Sequence, residues 1–299
     1  MRKKLAFVLS SGGSRGALQA GAIRALFDAG YRPDLITGAS IGAANGAFLA
    51  VHGYSQESIQ KLIHIWESTI DQDLLPTNLW WQVMRSFFTH SKGFSQHRIR
   101  EFAIAGGITP DLRFKDLNGV KFYPVAADLN ASCPVVMGLD PEESVLDCVL
   151  ASMTLPPWLE PVKRNGRYLV DGGAVSNLPV EAAIQQGAGE IIALDLHNLD
   201  DEVPAAGNPL GDFILKLDKT VESRHAQLEM ELARARGIPV WHISLNAENL
   251  VPFWDFRQAV EQIEIGYRIT REAIAGIPAK NRPSWWKKPE IKEMAEGFL

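Results

Sequence analysis

The sequence lacks most features that mark disulfide-rich, metal-binding or membrane-spanning proteins. Its 299 residues contain two cysteines, Cys133 and Cys148, which form neither a metal-type spacing nor a disulfide framework. No apolar run approaches the roughly 18–20 residues needed to span a bilayer. We therefore expect no cysteine-based metal site, and a reduced, cytoplasmic setting in which any membrane contact is peripheral.

The chain also has no excess of basic residues. Its 30 lysines and arginines are outnumbered by 35 acidic residues, giving a formal net charge of −5, and no basic stripe is interleaved with aromatics. This excludes nucleic acid as an expected partner. The 46% apolar content is enough for a sizeable core. Nothing in the sequence indicates the oligomeric state.

The N-terminus has basic residues followed by an apolar run, as an export signal does. The apolar run, residues 5–9, is five residues long and ends at a Ser/Gly-rich stretch. An export signal needs an apolar region of roughly 7–15 residues. We therefore expect a buried first strand here.

Short apolar runs alternate with amphipathic stretches along the chain. Residues 5–9, 35–37, 121–128, 133–137, 167–170, 190–194 and 239–245 read as strands, with helices between most of them. This alternation predicts an α/β fold, a three-layer α/β/α sandwich with a mostly parallel central sheet.

Two aromatic stretches leave alternatives open. Residues 79–88 are the most aromatic in the protein and fit either a buried helix or a cap over an acyl-chain pocket. Residues 282–288 mix tryptophans with cations, which suits either a membrane interface or a tail packed on the body.

A serine stands at a predicted sharp turn between a strand and a helix. The apolar run ending at Thr37 leads into Gly38-Ala39-Ser40-Ile41-Gly42, and small residues follow. The pattern G-x-S-x-G is typical of a strained turn that exposes a nucleophilic hydroxyl, with glycines where bulk would clash. Ser40 is the candidate nucleophile.

A second glycine-rich segment follows the first strand: Ser11-Gly12-Gly13-Ser14-Arg15-Gly16. Such a loop at a helix N-terminus directs several backbone N–H groups one way, which suits an oxyanion. The alternative is a dinucleotide phosphate cradle, which requires G-x-G-x-x-G and an acidic residue about 20 positions on. Ser11 breaks that pattern, although Asp34 lies near the required distance.

The proton acceptor for Ser40 has two candidates. His197 follows a predicted strand and could serve as a triad histidine, although only two strands precede Ser40. Asp171 also ends a predicted strand, and Gly172-Gly173 let the backbone bring a carboxylate close to the serine. From its spacing alone, Asp171 could equally be an ordinary aspartate in a turn.

A helix is predicted downstream of this aspartate. Asn177 is expected to cap it, and Pro179 lies in its first turn.

Together, the three motifs resemble those of the patatin-like phospholipase family. The glycine-rich segment resembles the family's G-G-G-x-R/K-G, Ser40 lies in its G-x-S-x-G, and Asp171-Gly172-Gly173 resembles its D-G-G/A. The likeness covers roughly residues 5–200. We expect one patatin-like domain over 1–299, with its motif-bearing core at about 5–200, a helical insertion at about 55–105 and a C-terminal helical extension at about 209–299.

The resemblance implies a lipid acyl-ester hydrolase that works without a metal or a cofactor. It implies a dyad of Ser40 as nucleophile and Asp171 as general base, with an acyl-enzyme intermediate. It implies an oxyanion hole from the backbone around Gly12, Gly13 and Ser14, with Arg15 nearby. The other motif glycines, Gly16, Gly38, Gly42, Gly172 and Gly173, would support these loops.

Ser11 is the one departure from the family pattern. It stands where the family has its first glycine, so a positive φ at this position would strain the loop. This departure keeps open a patatin-fold binding protein with impaired catalysis. A nucleotide-binding α/β protein is the other alternative.

Overall fold

A central sheet organises the protein. The computed structural model describes residues 3–71, 97–155, 159–197, 209–245, 251 and 255–275. Within those ranges the sheet has eight strands: β1 Leu5–Leu9, β2 Leu35–Ala39, β3 Lys121–Asp128, β4 Cys133–Val136, β5 Val162–Arg164, β6 Arg167–Asp171, β7 Glu190–Asp195 and β8 Val240–Ser244.

The strand order is β5-β6-β3-β2-β1-β7-β8, with β4 also paired to β3. The five strands from β3 to β8 run parallel. At the other edge, β6 and β4 pair antiparallel with β3, and β5 pairs antiparallel with β6. The predicted mostly parallel central sheet is confirmed.

Helices cover both faces of this sheet. The described helices are α1 Gly16–Asp28, α2 Ile41–His52, α3 Gln56–Ser68, α4 His97–Ala105, α5 Val145–Ser152, α6 Val180–Gln185, α7 Pro209–Ala235 and α8 Ala259–Ala275. Side chains of α1, α2, α3 and α8 share one core cluster, whereas α6 and α7 contribute to another. The α/β/α sandwich is therefore confirmed.

Strand β1 shows why the central strands are mostly apolar. Leu5, Phe7 and Leu9 point into the larger cluster, whereas Ala6 and Val8 point into the smaller one. Successive side chains of a strand face opposite sides, so a strand covered on both faces is apolar at most of its positions. The expected buried first strand is confirmed.

Parts of the predicted organisation fall outside the described ranges. The aromatic stretch at 79–88 and the Trp/Lys segment at 282–288 both lie there, and the single-domain assignment stays a prediction. Within the described ranges, no helix is both long and apolar enough to cross a membrane.

Candidate active site

Ser40 occupies a strained turn between β2 and α2. Its backbone has φ 53° and ψ −122°, a region that a residue with a side chain rarely adopts. Its backbone N–H donates to Ser152 Oγ at 3.1 Å, while its carbonyl accepts from Ala43 and Ala44. Ser40 is thus the N-cap residue of α2, and the positive end of the helix dipole lies beside it.

The flanking glycines are required by close backbone approach. A Cβ atom on Gly38 would lie 2.4 Å from the Gly42 carbonyl oxygen. A Cβ atom on Gly42 would lie 2.3 Å from the Leu9 carbonyl oxygen. The turn is therefore packed against the end of β1, from which the glycine-rich loop starts.

The glycine-rich loop, residues 11–16, bends sharply before α1. Gly12 and Gly13 have φ of 155° and 59°, and Gly13–Arg15 forms a 3-10 turn that leads directly into α1. A Cβ atom on Gly16 would lie 2.5 Å from Ile41 Cγ1, so the loop ends against the residue after Ser40. The amides at this helix start can therefore face the serine's surroundings.

Arg15 braces this loop instead of projecting freely. Its Nη1 donates to the Leu196 carbonyl at 3.3 Å, and its Nε donates to the Gly12 carbonyl at 3.4 Å. The guanidinium thus ties the loop to the end of β7.

The backbone of Ser11 is not strained, although the family has glycine at this position. Among the described non-glycine residues, positive φ occurs at Ser40, Ser132 and Asn165. The left-handed values in the loop fall on Gly12 and Gly13. The serine is therefore compatible with the loop's conformation.

Asp171 ends β6 beside the serine turn, residues 38–42, which we call the elbow. It is buried, its backbone N–H donates to the Thr154 carbonyl at 2.7 Å, and its Oδ1 accepts from Gly173 N at 2.8 Å. A Cβ atom on Gly172 would lie 3.2 Å from the Ala39 Cβ. The D-G-G loop, residues 171–177, therefore packs directly on the residue that precedes Ser40.

The sheet register explains this proximity. Ala39 of β2 pairs with Val125 of β3, and the next residue, Ala126, pairs with Asp171 of β6. The elbow and the aspartate thus approach β3 at neighbouring register positions. Two segments 131 positions apart in the chain meet because the sheet places β6 next to β3.

His197 is held by other residues. Its Nε2 lies 2.9 Å from Glu222 Oε2, and its Nδ1 lies 2.9 Å from Asn177 Nδ2 and 3.6 Å from Asp195 Oδ1. Burial alone would lower the pKa of His197, but its ion pairs with Glu222 and Asp195 outweigh burial and raise that pKa to about 9. Both ring nitrogens are therefore occupied.

One expectation from the sequence fails here, and one alternative loses support. Asn177 does not cap a helix: α6 begins at Val180 with Pro179 at its N-cap, and the Asn177 side chain turns inward instead. Asp34 accepts from Leu5 N at 2.8 Å, at the start of β1, whereas the glycine-rich loop follows the end of that strand. Asp34 is thus misplaced for a dinucleotide ribose.

Several residues that hold the elbow and the glycine-rich loop in place lie outside the three sequence motifs. Ser152 Oγ donates to the Val125 carbonyl at 2.6 Å while it accepts from Ser40 N. Asn45 Nδ2 donates to the Gly16 carbonyl at 3.1 Å, and Trp66 Nε1 donates to Asn45 Oδ1 at 3.0 Å. Because these partners are distant in the chain, no local pattern reveals them.

Comparison with known proteins gives a consistent result. The sequence model described as patatin-like phospholipase matches residues 7–184. Mouse patatin-like phospholipase domain-containing protein 6 is 28% identical over 97% of this chain and 21% of its own length. Lysophospholipase NTE1 of Kluyveromyces lactis is 27% identical over 92% of this chain and 19% of its own length.

The chain thus spans about a fifth of the length of these relatives. Among solved structures, VipD from Legionella pneumophila aligns with 92% of this chain and 67% of its own, at 13% identity and a TM-score of 0.46. The sequence match covers all three motif segments described above, residues 11–16, 38–42 and 171–173. The chain belongs to the patatin-like phospholipase family.

Proposed function

We propose that this protein is a serine lipid acyl hydrolase that uses Ser40 and Asp171 as a catalytic dyad. The observation that carries the proposal is the packing of the D-G-G loop on the elbow, with Gly172 against Ala39. The contact supports the proposal because the D-G-G loop begins with the buried Asp171, while Ala39 directly precedes Ser40, which is held in a strained turn. A nucleophile and a base on rigid neighbouring elements are what acyl transfer requires.

In the proposed reaction, each of these groups has one role. Asp171 takes the hydroxyl proton as Ser40 Oγ attacks the ester carbonyl, and the oxyanion is stabilised by backbone amides around Gly12, Gly13 and Ser14. The leaving alcohol departs with that proton, which leaves an acyl group on Ser40. Water, deprotonated by Asp171, then attacks the acyl-enzyme and releases the fatty acid and the free serine.

A histidine base is less consistent with the geometry. Both nitrogens of His197 contact other polar groups, and its pKa near 9 keeps the ring protonated at neutral pH. A protonated imidazole cannot accept the serine proton. Asp171, by contrast, ends a strand next to the elbow.

The substrate class proposed is a fatty-acyl ester of a phospholipid, a lysophospholipid or a simple alcohol. Two relatives carry the names phospholipase and lysophospholipase, and the matched region includes all three motifs. Such substrates reside in membranes or micelles, so we also propose that the protein acts by peripheral contact with a lipid surface.

A lipid panel with free fatty acid as the readout tests this function. Wild-type protein should release fatty acid, and Ser40→Ala and Asp171→Asn should each abolish release while retaining the native circular dichroism spectrum. Asp128→Asn is the matched control, because Asp128 is equally buried but accepts from Asn130 and Ala131 in a turn. Full activity in Asp171→Asn would refute the proposed base.

The same panel separates the alternatives. A patatin-fold binding protein would bind lipid without releasing fatty acid. A nucleotide-binding protein would release none and would instead bind a nicotinamide cofactor in a fluorescence titration.

A further inference from the structure

The side chain of Ser11 makes a bond that glycine could not make. Ser11 is buried, and its backbone N–H donates to the Asn177 carbonyl at 3.0 Å. Its hydroxyl also donates to Asn177 Oδ1. Glycine at this position would keep the first bond and lose the second. Ser11 therefore fastens the start of the glycine-rich loop to Asn177 twice.

Asn177 is in turn held from its other side. Its side chain is fully buried, and its Nδ2 lies 2.9 Å from His197 Nδ1. His197 pairs with Glu222 of α7, which fixes the imidazole in place. With a neutral His197, the Asn177 NH₂ group donates to His197 Nδ1 and its oxygen accepts from Ser11. With the protonated ring, the amide must turn so that its oxygen accepts from Nδ1–H and its NH₂ group donates to Ser11 Oγ, which keeps both links.

Ser11 also touches the loop that carries the proposed base. A Cβ atom on Gly173 would lie 2.8 Å from Ser11 Oγ and 3.1 Å from Asp171 Oδ1. The backbone N–H of Gly173 donates to that same Asp171 oxygen at 2.8 Å. The hydroxyl thus lies where the glycine-rich loop meets the loop that orients the carboxylate.

We propose that Ser11 and Asn177 are positioning residues that set the separation between the oxyanion-binding loop and the proposed base. This inference rests on the proposed function. Oxyanion donors and a general base must be placed within a few tenths of an ångström of their productive positions. The Ser11 hydroxyl supplies one fixed link between them, where the family pattern has glycine.

The test compares Ser11→Ala and Ser11→Gly with wild type on one soluble acyl ester. Both variants should lower kcat roughly 10- to 100-fold, the range expected when reacting groups are misplaced. KM should stay within about twofold, because neither residue contacts the bound acyl chain in this account. The double variant Ser11→Ala/Asn177→Ala should lose no more kcat than Asn177→Ala alone, since both remove the same link.

Ser55→Ala is the control for simple loss of stability. Ser55 caps α3 by accepting from Ser58 N at 3.2 Å, and removing such a cap costs about 1 kcal/mol without changing the loops. Its kcat should match wild type. Thermal unfolding of each variant identifies any that fail to fold. If Ser11→Gly or an Asn177 variant does not fold, the kcat of Ser11→Ala, which removes a single hydroxyl, is the deciding measurement.

The outcomes distinguish the two proposals. An active wild type with an unchanged kcat in Ser11→Ala, or fully additive losses in the double variant, would overturn the positioning role alone. A wild type that neither cleaves the ester nor reacts with a fluorophosphonate at Ser40 would overturn the proposed function, and this inference with it.

Discussion

The backbone N–H of Ser40 donates a hydrogen bond to the side-chain oxygen of Ser152, at 3.1 Å. Ser152 is the last residue of α5, and its own hydroxyl proton goes to the Val125 carbonyl at 2.6 Å. One buried hydroxyl therefore links the proposed nucleophile to the strand beside it. This link makes the strained turn part of the core instead of an independent loop.

Replacing Ser152 with alanine should weaken both the fold and catalysis. The change leaves the Ser40 N–H and the Val125 carbonyl without this partner, which costs about 1–3 kcal/mol of unfolding free energy. The kcat for ester hydrolysis should fall with it. Ser144→Ala, which removes the N-cap of the same helix, should lose about 1 kcal/mol but keep kcat. Equal kcat values in the two variants would contradict the link.

Gly42→Ala should destabilise the protein strongly. The new methyl group would lie 2.3 Å from the Leu9 carbonyl oxygen, so the backbone of the elbow or of β1 must move. Overpacking of this kind costs about 1–3 kcal/mol or more. Denaturant unfolding should show the loss. Gly106→Ala, whose methyl would lie 3.3 Å from the Ala103 carbonyl oxygen, should change stability much less.

His197→Ala should cost roughly 2–3 kcal/mol of stability at neutral pH, because it removes the cation that pairs with the partly buried Glu222 carboxylate. Asp195 keeps a second partner, His242, whose Nε2 lies 2.9 Å from Asp195 Oδ2. The wild-type contribution depends on pH. Since folding raises the pKa of His197 from 6.5 to about 9, its stabilisation is complete below pH 6.5 and is lost as pH rises through 9.

Unfolding free energies of wild type and His197→Ala, measured from pH 6 to 10, should therefore converge at high pH. His64→Ala is the control, because His64 pairs with Glu67 on the surface at 3.5 Å with its side chain 83% exposed. A constant difference between wild type and His197→Ala would show that folding does not raise the pKa of His197.

Glu229→Gln should stabilise the protein above neutral pH. Burial raises the pKa of Glu229 to about 7, although Ser176 and the N-terminal amides of α6 donate to its carboxylate. The folded protein thus binds a proton that the unfolded chain releases near pH 4.5, so this carboxylate lowers stability as pH rises from 4.5 to 7.

Glutamine mimics the protonated form and should remove that pH dependence, whereas Glu231→Gln, at an exposed position of the same helix, should not. Urea unfolding from pH 5 to 8 measures the difference. Parallel pH curves for wild type and Glu229→Gln would rule out the raised pKa.

The central parallel strands were predictable because a strand covered on both faces is mostly apolar, whereas the short antiparallel strand β5 was not predicted. The predicted β1 bounds are correct, and β7 extends one residue beyond the predicted end at Leu194. The elbow was also predictable from its glycines. At Gly38 and Gly42 another backbone segment comes so close that a Cβ atom would clash with it, so glycine is required. Apolar runs and paired glycines are both visible in short stretches of sequence.

Long-range polar contacts were not predictable in this way. Asn177, two positions before Pro179, resembles a helix cap. Its side chain nevertheless bonds with Ser11, which is 166 positions away in the chain, and with His197, which is 20 positions away. Glu222 lies on a helix beyond the family-matched residues, and nothing in its local pattern points to His197. Such pairs follow from where the sheet places its strand ends, which a single sequence does not encode locally.

Reaction of the protein with a fluorophosphonate, followed by mass spectrometry of the modified peptide, tests whether Ser40 is the nucleophile that Asp171 activates. We predict one stoichiometric adduct on Ser40 in wild type and a reaction at least about 100-fold slower in a folded Asp171→Asn variant. An adduct on another residue, or equally fast labelling of Ser40 without the Asp171 carboxylate, would contradict this prediction.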